Sequence, residues 1–163
     1  MHIKKRIVDK KRTNTFRLKN NMINEKMIEK RDVATVILVN EKNEVLLQKK
    51  DMGYKWLPGC WCMFGGGVEK GEDPLSALKR ELVEELHLTI EDLTFFKSEP
   101  YEVSKGKIMR KGTHFCFVAK YLGEISDIRI AEGCGFAFFS SEELKDYKLM
   151  PLDKLFLEGY YKI

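Results

Sequence analysis

Three glutamates near the end of one predicted helix, Glu81, Glu84 and Glu85, stand at spacings that could hold a divalent cation. At 100° per residue, Glu81 and Glu85 are i,i+4 neighbours and Glu81 and Glu84 are i,i+3 neighbours, so the three form one acidic arc. Exposed like charges at those separations repel by about 0.2–0.5 kcal/mol per pair. Close carboxylates that stay ionised need a cation, or one of them takes up a proton. Hard oxygen ligands of this kind suit Mg²⁺ or Mn²⁺, ions that also bind phosphate groups. A solvated face on an amphipathic helix gives the same three-residue pattern, so the flanking residues have to decide.

Those flanking residues are a glycine-rich loop and a well-marked helix start. Phe64-Gly65-Gly66-Gly67-Val68-Glu69-Lys70-Gly71-Glu72 runs into Asp73-Pro74. Asp73 is a good N-cap, and Pro74 suits the first helical position. Leu75, Leu78, Leu82 and Leu86 then make one apolar stripe that must face a core. Counted from Gly66, five residues precede Glu72 and seven more precede Arg80-Glu81-Leu82. After one residue comes Glu84-Glu85, and after another come His87 and Leu88.

This order resembles the signature of the Nudix hydrolases, with His87 where the family usually has glycine. The resemblance implies an α/β fold, an α/β/α sandwich around a mixed β-sheet, with the glycine loop and helix forming the site. It also implies hydrolysis of the diphosphate linkage in a nucleoside diphosphate joined to another group, dependent on Mg²⁺ or Mn²⁺. Glu81, Glu84 and Glu85 match the family's metal-binding and catalytic glutamates, with Gly65 offering a backbone carbonyl. Glu132 lies where some relatives supply one more metal carboxylate from a loop. Arg80 matches an arginine that holds catalytic glutamates in place, a role that overlaps with a surface ion pair to Glu84. Glu72 is expected to fix the loop by hydrogen bonds. Trp56, Trp61, Phe64, Gly66 and Gly67 are expected to contact substrate.

The substrate classes implied are a nucleoside triphosphate, an oxidised nucleotide or a nucleotide-sugar. Where the family's ADP-ribose enzymes carry a proline, this chain reads Val103-Ser104. The related isopentenyl diphosphate isomerases need a cysteine where this chain has Phe64-Gly65-Gly66. Two alternatives stay open: a non-catalytic module that binds a nucleotide or RNA end, and a pyrophosphohydrolase of RNA 5′ ends. A histidine at position 87 either adopts left-handed backbone geometry at the helix end, at a cost of about 1 kcal/mol, or marks a shifted helix end.

Length and composition suit this assignment. A chain of 163 residues, 44% apolar and 33% charged, has the prior of a single soluble domain with a real core. No apolar run reaches membrane-spanning length, and the basic N-terminus lacks the apolar segment of a secretory signal. A cytoplasmic location is therefore expected, with Cys60, Cys62, Cys116 and Cys134 as reduced, partly buried thiols. The net charge of +4 has its positive excess in residues 1–31, read as a basic, flexible extension ahead of a catalytic domain over 32–163. Expected partners are a small nucleotide, with an RNA end and a second copy of the chain as options, and no membrane.

The remaining elements follow from pattern. Val33 to Val39 reads as a buried strand, Asn40 to Asn43 as a turn and Glu44 to Gln48 as a returning strand. Tyr54, Trp56, Pro58 and Trp61 lie in a loop whose aromatics could stack on a base or pack on the sheet. Leu93 to Lys97, Tyr101 to Val103, Ile108 to Arg110 and Thr113 to Leu122 read as separate strands, followed by Phe136 to Phe139. Ser140 to Glu143 is a capping box expected to open a short helix to about Tyr147. Leu152 to Tyr160 is a second helix with Leu152, Leu155 and Phe156 inward.

Overall fold

The computed structural model describes residues 26–163. One mixed sheet of eight strands carries the fold. Its order is β1 (Met27–Lys30), β7 (Ile108–Lys120), β2 (Val33–Val39), β3 (Val45–Lys49) and β4 (Trp61–Cys62). Three further strands flank that path: β5 (Phe64–Gly67) on β2, β6 (Thr94–Lys105) on β7, and β8 (Gly135–Phe139) on β3.

β2 is central because both of its faces are covered. Ala34, Val36 and Leu38 pack with Phe64 against Leu78, Leu82 and Leu86 of helix α1 (Pro74–Leu86). Ile37 and Val39 pack with Met63 and Cys116 against Phe156 and Leu157 of helix α2 (Pro151–Tyr161). Period-2 alternation therefore sends successive β2 side chains into two different cores, and the segment reads as one unbroken apolar run. The result is the α/β/α sandwich expected. β2 runs parallel to β7 from Val33 opposite His114 to Val39 opposite Lys120, and antiparallel to β5, with Thr35 opposite Gly65.

Helix α1 starts and stops as its sequence dictates. The Asp73 carboxylate accepts from the backbone N–H of Leu75 and of Ser76, each at 3.0 Å, and Pro74 opens the first turn. His87 closes the helix in the left-handed region, at φ 55° and ψ 29°.

The structure departs from the sequence expectations in four places. Met27–Lys30 is a strand, paired in parallel with Ile108 to Lys111, so ordered sheet begins inside the segment read as a flexible extension. Residues 1–25 of that extension lie outside the described residues. The segments read as four short strands form one long hairpin of β6 and β7, running through Pro100. Proline is tolerated there because β6 pairs on one side only and needs no donor on the other. Ser140 and Glu143 do bond, with Glu143 Oε2 accepting from Ser140 N at 2.8 Å, but the helix they open is a single 3₁₀ turn over Glu143–Asp146. Leu155 is 46% exposed, and the inward residues of α2 are Asp153, Phe156 and Leu157. Cys60, Cys62 and Cys116 are buried free thiols, whereas Cys134 is exposed. Among the described residues no helix is long and apolar enough to cross a membrane.

The exposed His87 adopts a backbone conformation that costs an L-residue about 1 kcal/mol and costs glycine almost nothing. His87→Gly is expected to raise the unfolding free energy by about 0.5–1 kcal/mol, offset slightly by added chain entropy. Urea unfolding measures this; an unchanged or lower midpoint would show that the His87 cap is unstrained.

Candidate active site

Arg80 ties the acidic helix to the glycine loop. Its Nε and Nη2 donate to the two oxygens of Glu72 at 3.1 and 3.0 Å, and Nη2 also donates to the Gly67 carbonyl at 3.1 Å. Nη1 donates to Glu81 Oε1 at 2.9 Å and to Glu84 Oε2 at 3.3 Å. The fork geometry of a guanidinium allows one side chain to hold three carboxylates and a carbonyl together. Glu72 Oε2 also accepts from the Glu69 N–H at 3.1 Å, which closes the loop on itself. The hydrogen bonds from Arg80 hold the Glu72 carboxyl below the usual carboxylate range, and those to Glu72 and Glu81 raise the Arg80 pKa.

Glu85 is set deeper. It is 5% exposed, and Oε2 accepts from the Gly65 N–H at 2.9 Å. Gln48 Nε2 donates to both carboxylate oxygens, at 3.2 and 3.3 Å, and Lys50 Nζ stands 3.9 Å from Oε1. Burial raises the Glu85 pKa, opposed by the Gly65 hydrogen bond and by the Lys50 charge.

At Gly65 the backbone of the neighbouring strand itself excludes a side chain. Gly65 has φ 127°, and a Cβ there would meet the Ala34 carbonyl at 2.2 Å. A Cβ on Gly66 would meet the Glu81 carboxyl carbon at 2.3 Å, so the carboxylate lies directly against the loop backbone.

Glu81, Glu85, Glu132 and all three glycines of β5 line one cleft of about 700 Å³. Thr35, His114 and Asp153 add polar groups to its lining. Thr35 Oγ1 and His114 Nε2 are hydrogen-bonded at 2.7 Å, and Asp153 Oδ2 accepts from the Met63 N–H at 2.8 Å. Burial lowers the His114 pKa to about 4 and pushes Asp153 up to about 7. The mouth is cationic and aromatic. Arg110 lies 4.8 Å from the centre of the Trp56 ring and is held by Glu29 at 2.9 Å. A larger groove of about 920 Å³ runs behind the loop past Glu69 and Glu72, but none of Glu81, Glu84 and Glu85 reaches it.

The cleft brings together most of the residues expected from sequence; besides Arg80, whose contacts are given above, three stand outside it. Glu84 does not line it: its side chain is 59% exposed and rests on Arg80. Phe64 is 1% exposed, because pairing opposite Val36 turns it into the α1 core. Trp61 sits on the other side of β4, edge-on to Phe139 at 4.7 Å and to Tyr147 at 6.2 Å. Alternation along that strand turns Cys62 to the cleft and Trp61 away from it.

The sequence argument missed Gln48, Lys50, His114 and Asp153. Asp153 reads as an ordinary acid in the first turn of a helix. It reaches the cleft because Trp61 bonds to Lys148 and Met150 through the backbone, which docks the start of α2 beside β4.

The family comparison agrees with this geometry: the sequence pattern described as "NUDIX domain" matches residues 29–162. The chain belongs to the Nudix family. A curated relative, an oxidized purine nucleoside triphosphate hydrolase of Danio rerio, is 42% identical over 61 residues. That match spans 37% of this chain and only 38% of the relative. Among solved structures, the MutT protein of Methanosarcina mazei Go1 superposes with a TM-score of 0.68 at 18% identity, covering 82% of this chain and 93% of that one. The MutT Nudix hydrolase of Burkholderia pseudomallei gives 0.68 at 21% identity, covering 80% and 97%. Both show the shared fold.

Two buried groups make stability depend on pH in opposite directions. Asp153 titrates near 3.9 when unfolded and at about 7 when folded, so its contribution is full below about pH 4 and lost as pH rises through 7. His114 titrates near 6.5 unfolded and about 4 folded, so its contribution is full above about pH 6.5 and lost as pH falls through 4. The two cancel over most of that interval. Asp153→Asn keeps an acceptor for Met63 and should gain stability relative to wild type between pH 5 and 7, by up to about 1.4 kcal/mol per pH unit. Urea unfolding at stepped pH checks this, and a pH-independent offset between the two proteins contradicts it.

Proposed function

We propose that this Nudix hydrolase cleaves the diphosphate linkage of a nucleoside triphosphate, with an oxidised purine nucleotide the favoured substrate, using Mg²⁺ or Mn²⁺. One observation carries the reading: Glu81 and Glu85 line the same cleft as Asp153, His114 and Thr35. The carboxylates suit an anionic phosphate chain with its cation, and the polar trio suits the edge of a heterocycle. The Danio rerio relative supports the substrate class.

The donor set fits such a cation. Glu81 Oε2 accepts no hydrogen bond among the described residues, Glu85 is beside it, and Gly65 offers a carbonyl oxygen on the same wall. Glu132 would complete the set from its loop, which the Cys134 N–H fixes to the Lys49 carbonyl at 2.9 Å. Two or three carboxylates with positions left for water and phosphate suit Mg²⁺. When bound, the ion neutralises phosphate charge and lowers the pKa of water.

The chain's own residues do the rest. Water attacks one phosphorus, the bridging P–O bond breaks, and the water proton passes to a carboxylate of the cleft. Glu81 is the more available acceptor, because Glu85 is already engaged by Gly65 and Gln48. Arg80 is a positioning residue that holds Glu81 against Gly66. At neutral pH Asp153 is poised between its two forms, so it can donate to or accept from a base edge, while the neutral His114 keeps Thr35 oriented. Trp56, backed by Arg110, offers a stacking face at the mouth.

A panel of canonical and oxidised nucleoside triphosphates and nucleotide-sugars, assayed with Mg²⁺ and with EDTA, tests the proposal. Turnover should vanish on chelation. Glu85→Gln and Glu81→Gln should each lower kcat by a factor of about 10²–10⁴, the usual range for an acid–base group, with unchanged circular dichroism. Asp153→Ala should act mainly on the preference among bases. Turnover that survives EDTA, or glutamine variants as active as wild type, would overturn the reading.

A further inference from the structure

We propose that Lys50 is a built-in counter-ion that occupies the place between Glu85 and Glu132, and that the divalent cation must displace it to bind; this rests on the metal-dependent reading above. Lys50 Nζ lies 3.9 Å from Glu85 Oε1 and 3.8 Å from Glu132 Oε2, between two carboxylates of the donor set. The ammonium is carried on Gln48, whose Oε1 accepts from it at 3.0 Å while the same amide donates to Glu85. Its side chain is only 14% exposed, and the Tyr54 ring stands 5.4 Å away. The lysine is thus held in the cleft by an amide, two carboxylates and an aromatic face.

A second observation agrees. Among the described residues no three histidine, cysteine or acidic side chains close on one point, although Glu81, Glu85 and Glu132 line one cleft. With a monovalent charge seated between two of them, the acids are satisfied without converging. A dication at the same place would meet repulsion from Lys50 at a separation where little water intervenes. Gln48 gives the lysine a resting partner, and the amide can keep its bonds to Glu85 when the ammonium swings away into the cleft. Lys50 itself lines the cleft, so a released ammonium stays within it.

Removing the charge should therefore tighten metal binding, the reverse of the effect expected for a lysine that only contacts substrate. Mn²⁺ binding to the full chain without nucleotide is read by electron paramagnetic resonance for wild type, Lys50→Met, Lys50→Arg and Glu85→Gln. Lys50→Met is expected to bind Mn²⁺ at least tenfold more tightly than wild type, Lys50→Arg to stay near wild type, and Glu85→Gln to bind weakly. Thermal unfolding of the same proteins gives an independent readout. Lys50→Met should melt lower than wild type without metal and gain more on adding Mn²⁺, since ligands that bind only the folded state stabilise it by mass action. Equal or weaker Mn²⁺ affinity in Lys50→Met, with wild type still binding, overturns the counter-ion role and leaves the metal-dependent reading intact. No Mn²⁺ binding by wild type or by any variant removes that reading and the inference with it.

Discussion

A single buried carboxylate, that of Glu85, joins the acidic helix to the sheet. A charge in that position is tolerable only if its lone pairs are met, because an unpaired buried ion is strongly destabilising. Gly65 and Gln48 supply those partners from two different strands. The backbone carbonyl of Glu85 in turn accepts from the Ala131 N–H at 2.9 Å, which anchors the approach to the Glu132 loop. One residue thereby fixes the relative positions of β3, β5, α1 and the loop before β8.

Arg80 repeats this logic nearer the surface. Its guanidinium converts repulsion among Glu72, Glu81 and Glu84 into attraction, and its bond to the Gly67 carbonyl locks the loop to the helix. The i,i+4 contact to Glu84 is the longest of its carboxylate bonds and the most exposed, so it adds the least. What looks in sequence like an ordinary helical ion pair is a minor branch of a network centred on Glu72.

The polar trio that shares the cleft with the glutamates has a different origin. Thr35 comes from the middle of β2, His114 from β7 and Asp153 from the first turn of α2. Parallel pairing puts Val33 opposite His114, which leaves the histidine within reach of Thr35 two residues along β2. Asp153 stays buried because it accepts the Met63 N–H, which would otherwise be a buried donor without a partner. These three groups add donors and acceptors to a cleft otherwise lined by carboxylates and glycine backbone.

The start of the motif helix was legible in the sequence. Asp73, Pro74 and the leucine stripe act through contacts only a few residues apart, so pattern alone specifies them, whereas the left-handed His87 cap was one of two ends the pattern allowed. The glycine loop and the engagement of Arg80 with the glutamates were legible for the same reason, and β2 was legible from its apolar run. The long hairpin was not, because Pro100 breaks a strand unless that strand lies at an edge, and edge position is a property of the assembled sheet. The outward turn of Trp61 and the burial of Phe64 depend on strand register, where a shift of one residue reverses every side chain. The sequence by itself determined the chemistry available, an acidic helix bound to a glycine loop by one arginine. Only the tertiary structure decided which glutamates face the cleft, and that Gln48, Lys50, His114 and Asp153 join them, because those partners come from strands and helices up to about a hundred residues apart, and local periodicity carries no information about pairing at that range.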